Sequence, residues 1–210
     1  MSVSNVIWAL CCLTLPGDVP PQDWTNHGRA HWAYETETWL VAAELKSLER
    51  YSGQTTSELT ALEGVYRTDS IVLAFEEALD QKADRVGREG LSDEELVVLA
   101  VEALEREVNN GGHHQFFSNP SRIYAPMIVD ALNRIGSATA ARICSDAIEL
   151  LGIEGPITVD AVERAIYTES EGRDRKLDDL DHQYYTTVGD LSGLLFEFIK
   201  KDREKIVLRD

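Results

Sequence analysis

Residues 91–112, LSDEELVVLAVEALEREVNNGG, carry both ends of one helix and decide the fold class. Ser92 stands three residues before Glu95, the spacing at which each side chain satisfies the other's backbone amide at a helix start. Leu91 and Leu96 flank that turn at the positions of a hydrophobic staple. The pattern predicts a helix continuing through Leu99, Ala103, Leu104 and Val108 and stopping at Asn109-Asn110-Gly111-Gly112. Asn and Gly tolerate the left-handed backbone that a helix end requires.

Working outward, the other segments follow the same grammar. Thr55 and Glu58 make a second capping box, for a short helix through Leu62. Val72, Phe75, Leu79 and Val86 share one face of a helix expected over 69–86. Trp32, Trp39, Leu40, Ala43 and Leu48 suit an amphipathic helix over about 29–51, stopped by Ser52-Gly53. Further helices are expected at 125–135, 138–151, 159–169, 177–185 and 191–202, with Pro126 in a first turn, Gly136-Ser137 between two helices and Asp190 as a cap. No alternating run is long enough for a sheet. The fold class is all-α, a globular bundle of about nine or ten helices. All four tryptophans (Trp8, Trp24, Trp32, Trp39) fall in residues 1–64, which predicts a helical appendage there and a main domain over 65–210.

The chain is 210 residues long, 43% hydrophobic and 27% charged, a globular balance. Its 37 acidic and 20 basic side chains give a formal net charge of −17. Such a field repels nucleic acid and anionic membrane and attracts basic surfaces, although acidity also serves solubility alone. Cys11, Cys12 and Cys144 form no disulfide framework, so a reducing compartment, the cytoplasm, is expected. The apolar stretch Val6–Leu15 is ten residues, where a membrane helix needs ~20.

Residues 107–119 crowd amides, paired glycines and paired aromatics between two helices. Phe116 and Phe117 anchor the reversal, and Asn109, Asn110, Gln115 and Asn119 meet backbone groups left open at the helix ends. Glu107 at the helix end fits the same structural role. A ligand pocket built from these amides and from His113 and His114 is the competing reading. His27, His31 and Glu35 recur every four residues, and Asp178, Asp181 and His182 cluster, but neither group completes a ligand set. No cofactor is expected. Catalysis lacks a phosphate-cradling loop, a nucleophile elbow and a zinc-protease helix.

Residues 91–205 resemble the C-terminal domain of the bacterial DNA-mimic protein family. The resemblance rests on Leu91-Ser92-Asp93-Glu94-Glu95, on the run from Glu107 through Asn109, Asn110, Gly111 and Gly112, and on Gln115-Phe116-Phe117 with Asn119. It extends through Ala131-Leu132, Ile135-Gly136, Leu177, Leu180-Asp181, Leu191, Leu194 and Leu195. His113 stands where the family pattern carries an aromatic such as Phe. The resemblance implies an all-helical homodimer whose acidic surface imitates duplex DNA phosphates and occupies the DNA-binding face of a transcription regulator.

From Asp69 to Glu107 there are twelve acidic residues against four basic ones. The candidate partner-binding surface is Glu76, Glu77, Asp80, Asp84, Glu94, Glu95, Glu102 and Glu105. Glu76, Asp80 and Asp84 put a charge every ~6 Å along one helix, sparser than the ~3.4 Å per strand of duplex DNA. Lys82, Arg85 and Arg88 interrupt the run. The expected function is therefore an acidic protein-binding module with a basic partner and no direct contact to nucleic acid or membrane. The alternatives are a small-ligand-binding protein or enzyme with a pocket near Asn109–Asn119, or an antitoxin- or immunity-like protein. Asp174, Asp178, Asp179 and Asp181, mixed with Arg173, Arg175 and Lys176, suit a solvated linker and helix start.

Overall fold

The computed structural model describes residues 45–209, which lie within the second of two units into which the chain divides, 44–210. The expectations for Val6–Leu15, for Cys11 and Cys12, for the four tryptophans and for His27, His31 and Glu35 fall outside the described residues. Within them the chain is all-helical, with eight α-helices and no strands. These are α1 (Thr56–Thr60), α2 (Thr68–Val86), α3 (Asp93–Ser118), α4 (Ile128–Arg134), α5 (Ala138–Glu149), α6 (Val159–Ile166), α7 (Glu171–Thr187) and α8 (Leu191–Lys201). Two 3₁₀ turns, Arg88–Gly90 and Pro120–Tyr124, bracket α3.

Helix α3 runs through the centre. Val97, Val98, Leu99, Ala100, Val101, Ala103, Leu104 and Val108 are all buried, so this helix is apolar on nearly every side, as a helix enclosed by others must be. Helices α2, α4, α6, α7 and α8 and the Pro120–Tyr124 turn all pack on it. Its start keeps the expected box: the Ser92 hydroxyl accepts from the Glu95 amide, and the Glu95 carboxylate accepts from the Ser92 amide. Leu91 is buried above that turn. The reciprocal box at Thr55 and Glu58 opens α1, and Asp190 accepts from the Gly193 amide to open α8.

Several expected boundaries move. Residues 45–51 are not helical, because α2 captures their amides: Leu48 donates to Ser70 Oγ and Tyr51 to Glu77 Oε2. Residues 45–64 belong to the main body, since Leu59 lies in its core and the Thr56 hydroxyl donates to the Ile206 carbonyl. Val86 is 40% exposed, off the buried face of α2. Pro126 sits in the turn ahead of α4 instead of its first turn, and the Ser137 side chain makes no cap bond. Helix α7 starts six residues before the expected Leu177, where Ser170 accepts from the Arg173 amide. No helix among the described residues is long and apolar enough to cross a membrane.

Candidate functional site

The glycine pair inside α3 makes a kink. Gly111 and Gly112 leave helical geometry, Gly112 at φ +74°, and the chain resumes helix from His113 to Ser118. The expected stop at Asn109–Gly112 is thus a bend between two helical segments. A Cβ on Gly112 would lie 1.9 Å from Asp181 Oδ2, so glycine serves both the positive φ and the close approach of α7.

Asp181 secures the far side of that kink. Its Oδ1 accepts from the His113 amide at 2.8 Å and abuts His113 Nδ1. The other ring nitrogen, Nε2, lies 3.6 Å from Cys144 Sγ on α5. His113 also fills the place expected for an aromatic, edge-on to Tyr184 and tilted against Phe117. Asp181 is therefore part of the core scaffold and not of a solvated linker. A Cys–His–Asp row of this kind can activate a thiol where substrate reaches it. Here His113 is fully buried and Cys144 is 2% exposed, and burial pushes the thiol far above its ordinary value, with Asp181 adding to the effect. The row is a joint between three helices.

Glu107 organises the rest of the motif. Its carboxylate accepts from Gln115 Nε2, Asn119 Nδ2 and Ser121 Oγ, each at 2.7 Å. Burial acts to raise this carboxyl, and the hydrogen bonds from Ser121, Gln115 and Asn119 outweigh it and hold it below the usual range. Phe116 and Phe117 are buried beneath. Asn109 is exposed and donates to Glu105 Oε1, and Asn110 is exposed. The amides thus divide: Gln115 and Asn119 brace Glu107, while Asn109 and Asn110 face outward.

The eight carboxylates expected to form one acidic surface do not share one fate. Glu95 is 1% exposed and accepts from Lys82 Nζ at 2.8 Å and from the Val207 amide. Glu76 is buried and ion-paired with Arg106. Glu102 is buried; desolvation, with Glu76 and Glu105 adding to it, raises its carboxyl to about 8. These three are corrections: a side chain inside the protein presents no charge to a partner. Glu77, Glu94 and Glu105 are half-buried, Glu77 held by the Tyr51 amide and Glu94 by Arg134 and Lys205. Asp80 and Asp84 are exposed, as are Glu89 and Asp93 in the turn that follows.

Below Glu107 the Ser121 hydroxyl forms part of the wall of a cavity of about 160 Å³. Its lining includes Glu76, Asp80, Arg88, Arg106 and Tyr124. Arg88 lies over the Tyr124 ring, 4.9 Å from its centre. The arginines facing Glu76 and Asp80 were legible only as interruptions in an acidic run; their convergence comes from the packing of α2 on α3.

The family model for DMP19-like protein matches residues 89–202. The chain belongs to the DMP19-like protein family. No curated protein and no solved structure matches it. The DMP19-like span opens in the Arg88–Gly90 turn and closes one residue beyond α8, so it holds the kink, the Glu107 network and the His113–Asp181 joint. Helices α1 and α2, and with them Glu76, Asp80 and Asp84, precede the DMP19-like span.

Proposed function

We propose that this DMP19-like protein is an acidic docking module that takes the place of duplex DNA on the DNA-binding face of a basic partner, a transcription regulator. Membership of the DMP19-like family, which suggests a DNA-mimic role, is the observation that carries the reading. The formal charge of −17 supports it, because a negative field steers a basic surface toward the protein. Asp80, Asp84, Glu89 and Asp93 are the exposed carboxylates between Glu76 and Glu107, with Glu77, Glu94 and Glu105 half-buried beside them. Asp80 and Asp84 alone lie ~6 Å apart along the helix, so a second copy of the chain in a homodimer supplies the remaining density.

The test is capture of partners on the immobilised full chain, eluted by rising salt and competed with duplex DNA. A DNA-binding protein held at low salt, released by moderate salt and displaced by duplex DNA is the expected result. Capture of a partner that duplex DNA does not displace overturns mimicry in favour of an antitoxin- or immunity-like role.

A further inference from the structure

The cavity between α2, α3 and the Pro120–Tyr124 turn holds charges of both signs. Glu76 and Arg106 pair across it and satisfy each other. Asp80 and Arg88 remain. Asp80 lies in the field of Arg106 and Arg88 but takes a hydrogen bond from neither. The Arg88 guanidinium rests on the Tyr124 ring and also acts on the Tyr124 hydroxyl, and no carboxylate among the described residues forms an ion pair with it. The lining also includes apolar groups, Leu99 and Ala103 from α3 and Pro120 and Ile123 from the turn.

A ligand must answer both groups at once. A simple anion at Arg88 would face Asp80 and Glu76, and a metal cation or basic side chain at Asp80 would face Arg88 and Arg106. An apolar molecule would strip water from both charges without replacing it. A small dipolar molecule has neither fault. The cavity's 160 Å³ corresponds to about five waters at ~30 Å³ each, the size of a compact α-amino acid. We propose that this cavity binds a small zwitterion of the α-amino-acid class, its ammonium on Asp80 and its carboxylate on Arg88, with a short side chain over Ala103.

The Glu107 network gives the site its rigid wall, since Ser121 and Asn119 are both held to that carboxylate. The buried polar cluster of the DMP19-like span thereby supports a surface completed by α2, which precedes that span. The two readings share Asp80 but are tested separately, because zwitterion binding is measured on the protein alone.

The experiment is isothermal titration of the full chain at neutral pH with glycine, L-alanine and L-serine. Acetate and methylammonium serve as half-ligands, and the variants are Asp80→Asn and Arg88→Gln. Both side chains are exposed, so neither substitution opens the core. Saturable binding of at least one zwitterion, weakened about tenfold or more in each variant as a charged hydrogen bond is lost, is expected. Each half-ligand should bind more weakly than the zwitterion. No saturable heat with any of the three amino acids up to ~10 mM overturns the proposal, the cavity then holding water only. Binding that survives both substitutions overturns it too, as does acetate or methylammonium binding as tightly as the zwitterion.

Discussion

Burial raises the Glu102 carboxyl to about 8, and the neighbouring carboxylates of Glu76 and Glu105 add to the effect. A neutral carboxyl imitates no phosphate, so a buried Glu102 with its carboxyl raised to about 8 contributes little to an acidic face at neutral pH. Because its folded value lies above its unfolded one, the folded protein holds a proton that the unfolded chain has lost. Its contribution to stability therefore falls as pH rises from 4.5 to about 8, by at most ~1.4 kcal/mol per unit. Glu102→Gln should flatten that part of the stability profile, measured as urea midpoints across the interval; an unchanged slope would show that Glu102 titrates normally. Gly112 is the second decisive residue. Gly112→Ala meets both the positive φ and the Asp181 carboxylate, and should lower stability by ~2 kcal/mol or more. A loss below about half of that would mean that α7 yields easily at the kink. The paired glycines were legible as a break in the helix from residue type alone, although the expected stop and reversal is a kink within α3. Asp181 was not, because it lies 68 positions from His113 and no local spacing links them.

Helix starts marked by a capping box were the most legible elements, since the box is written within four residues and answers to local geometry. Ser92 with Glu95, Thr55 with Glu58 and the Asp190 cap all formed where their spacing placed them. The segment 45–51 went the other way, although Leu45, Leu48 and Tyr51 have helical spacing, because Ser70 and Glu77 offer its amides acceptors from α2. Tertiary partners of that sort leave no local trace. Glu95 shows both behaviours in one side chain: it caps α3 and also ties that helix to α2 through Lys82 and to the C-terminal segment through Val207. Lys82→Met strands the Glu95 carboxylate inside the protein and should cost ~3 kcal/mol or more. In a double-mutant cycle with Glu95→Leu, measured by chemical denaturation, the paired loss should be smaller than the sum by ~1 kcal/mol or more. Strict additivity would mean that the two charges do not meet.

At the scale of the whole molecule, a count of carboxylates overstates the field that a partner meets. Glu76 is cancelled by Arg106, Glu95 by Lys82 and Glu94 by Arg134 and Lys205, while burial raises the Glu102 carboxyl to about 8. The all-α class and the DMP19-like span were legible because helix periodicity and the 107–119 motif are local patterns. The acidic face was legible only as a charge balance, since burial on α2 and α3 is set by the neighbours each helix meets. Asp84, Glu89 and Asp93 remain exposed and lie outside the lining of the Arg88 cavity. Long-range attraction from such groups is screened within ~10 Å at 0.1 M salt. The most direct measurement is the dissociation constant for the captured regulator as a function of salt, for the parent and for the combined Asp84→Lys, Glu89→Lys and Asp93→Lys variant. Docking by these carboxylates predicts affinity that falls steeply with salt in the parent, and in the variant an affinity at least about tenfold weaker with a shallower slope. Equal affinity and equal slope would contradict it.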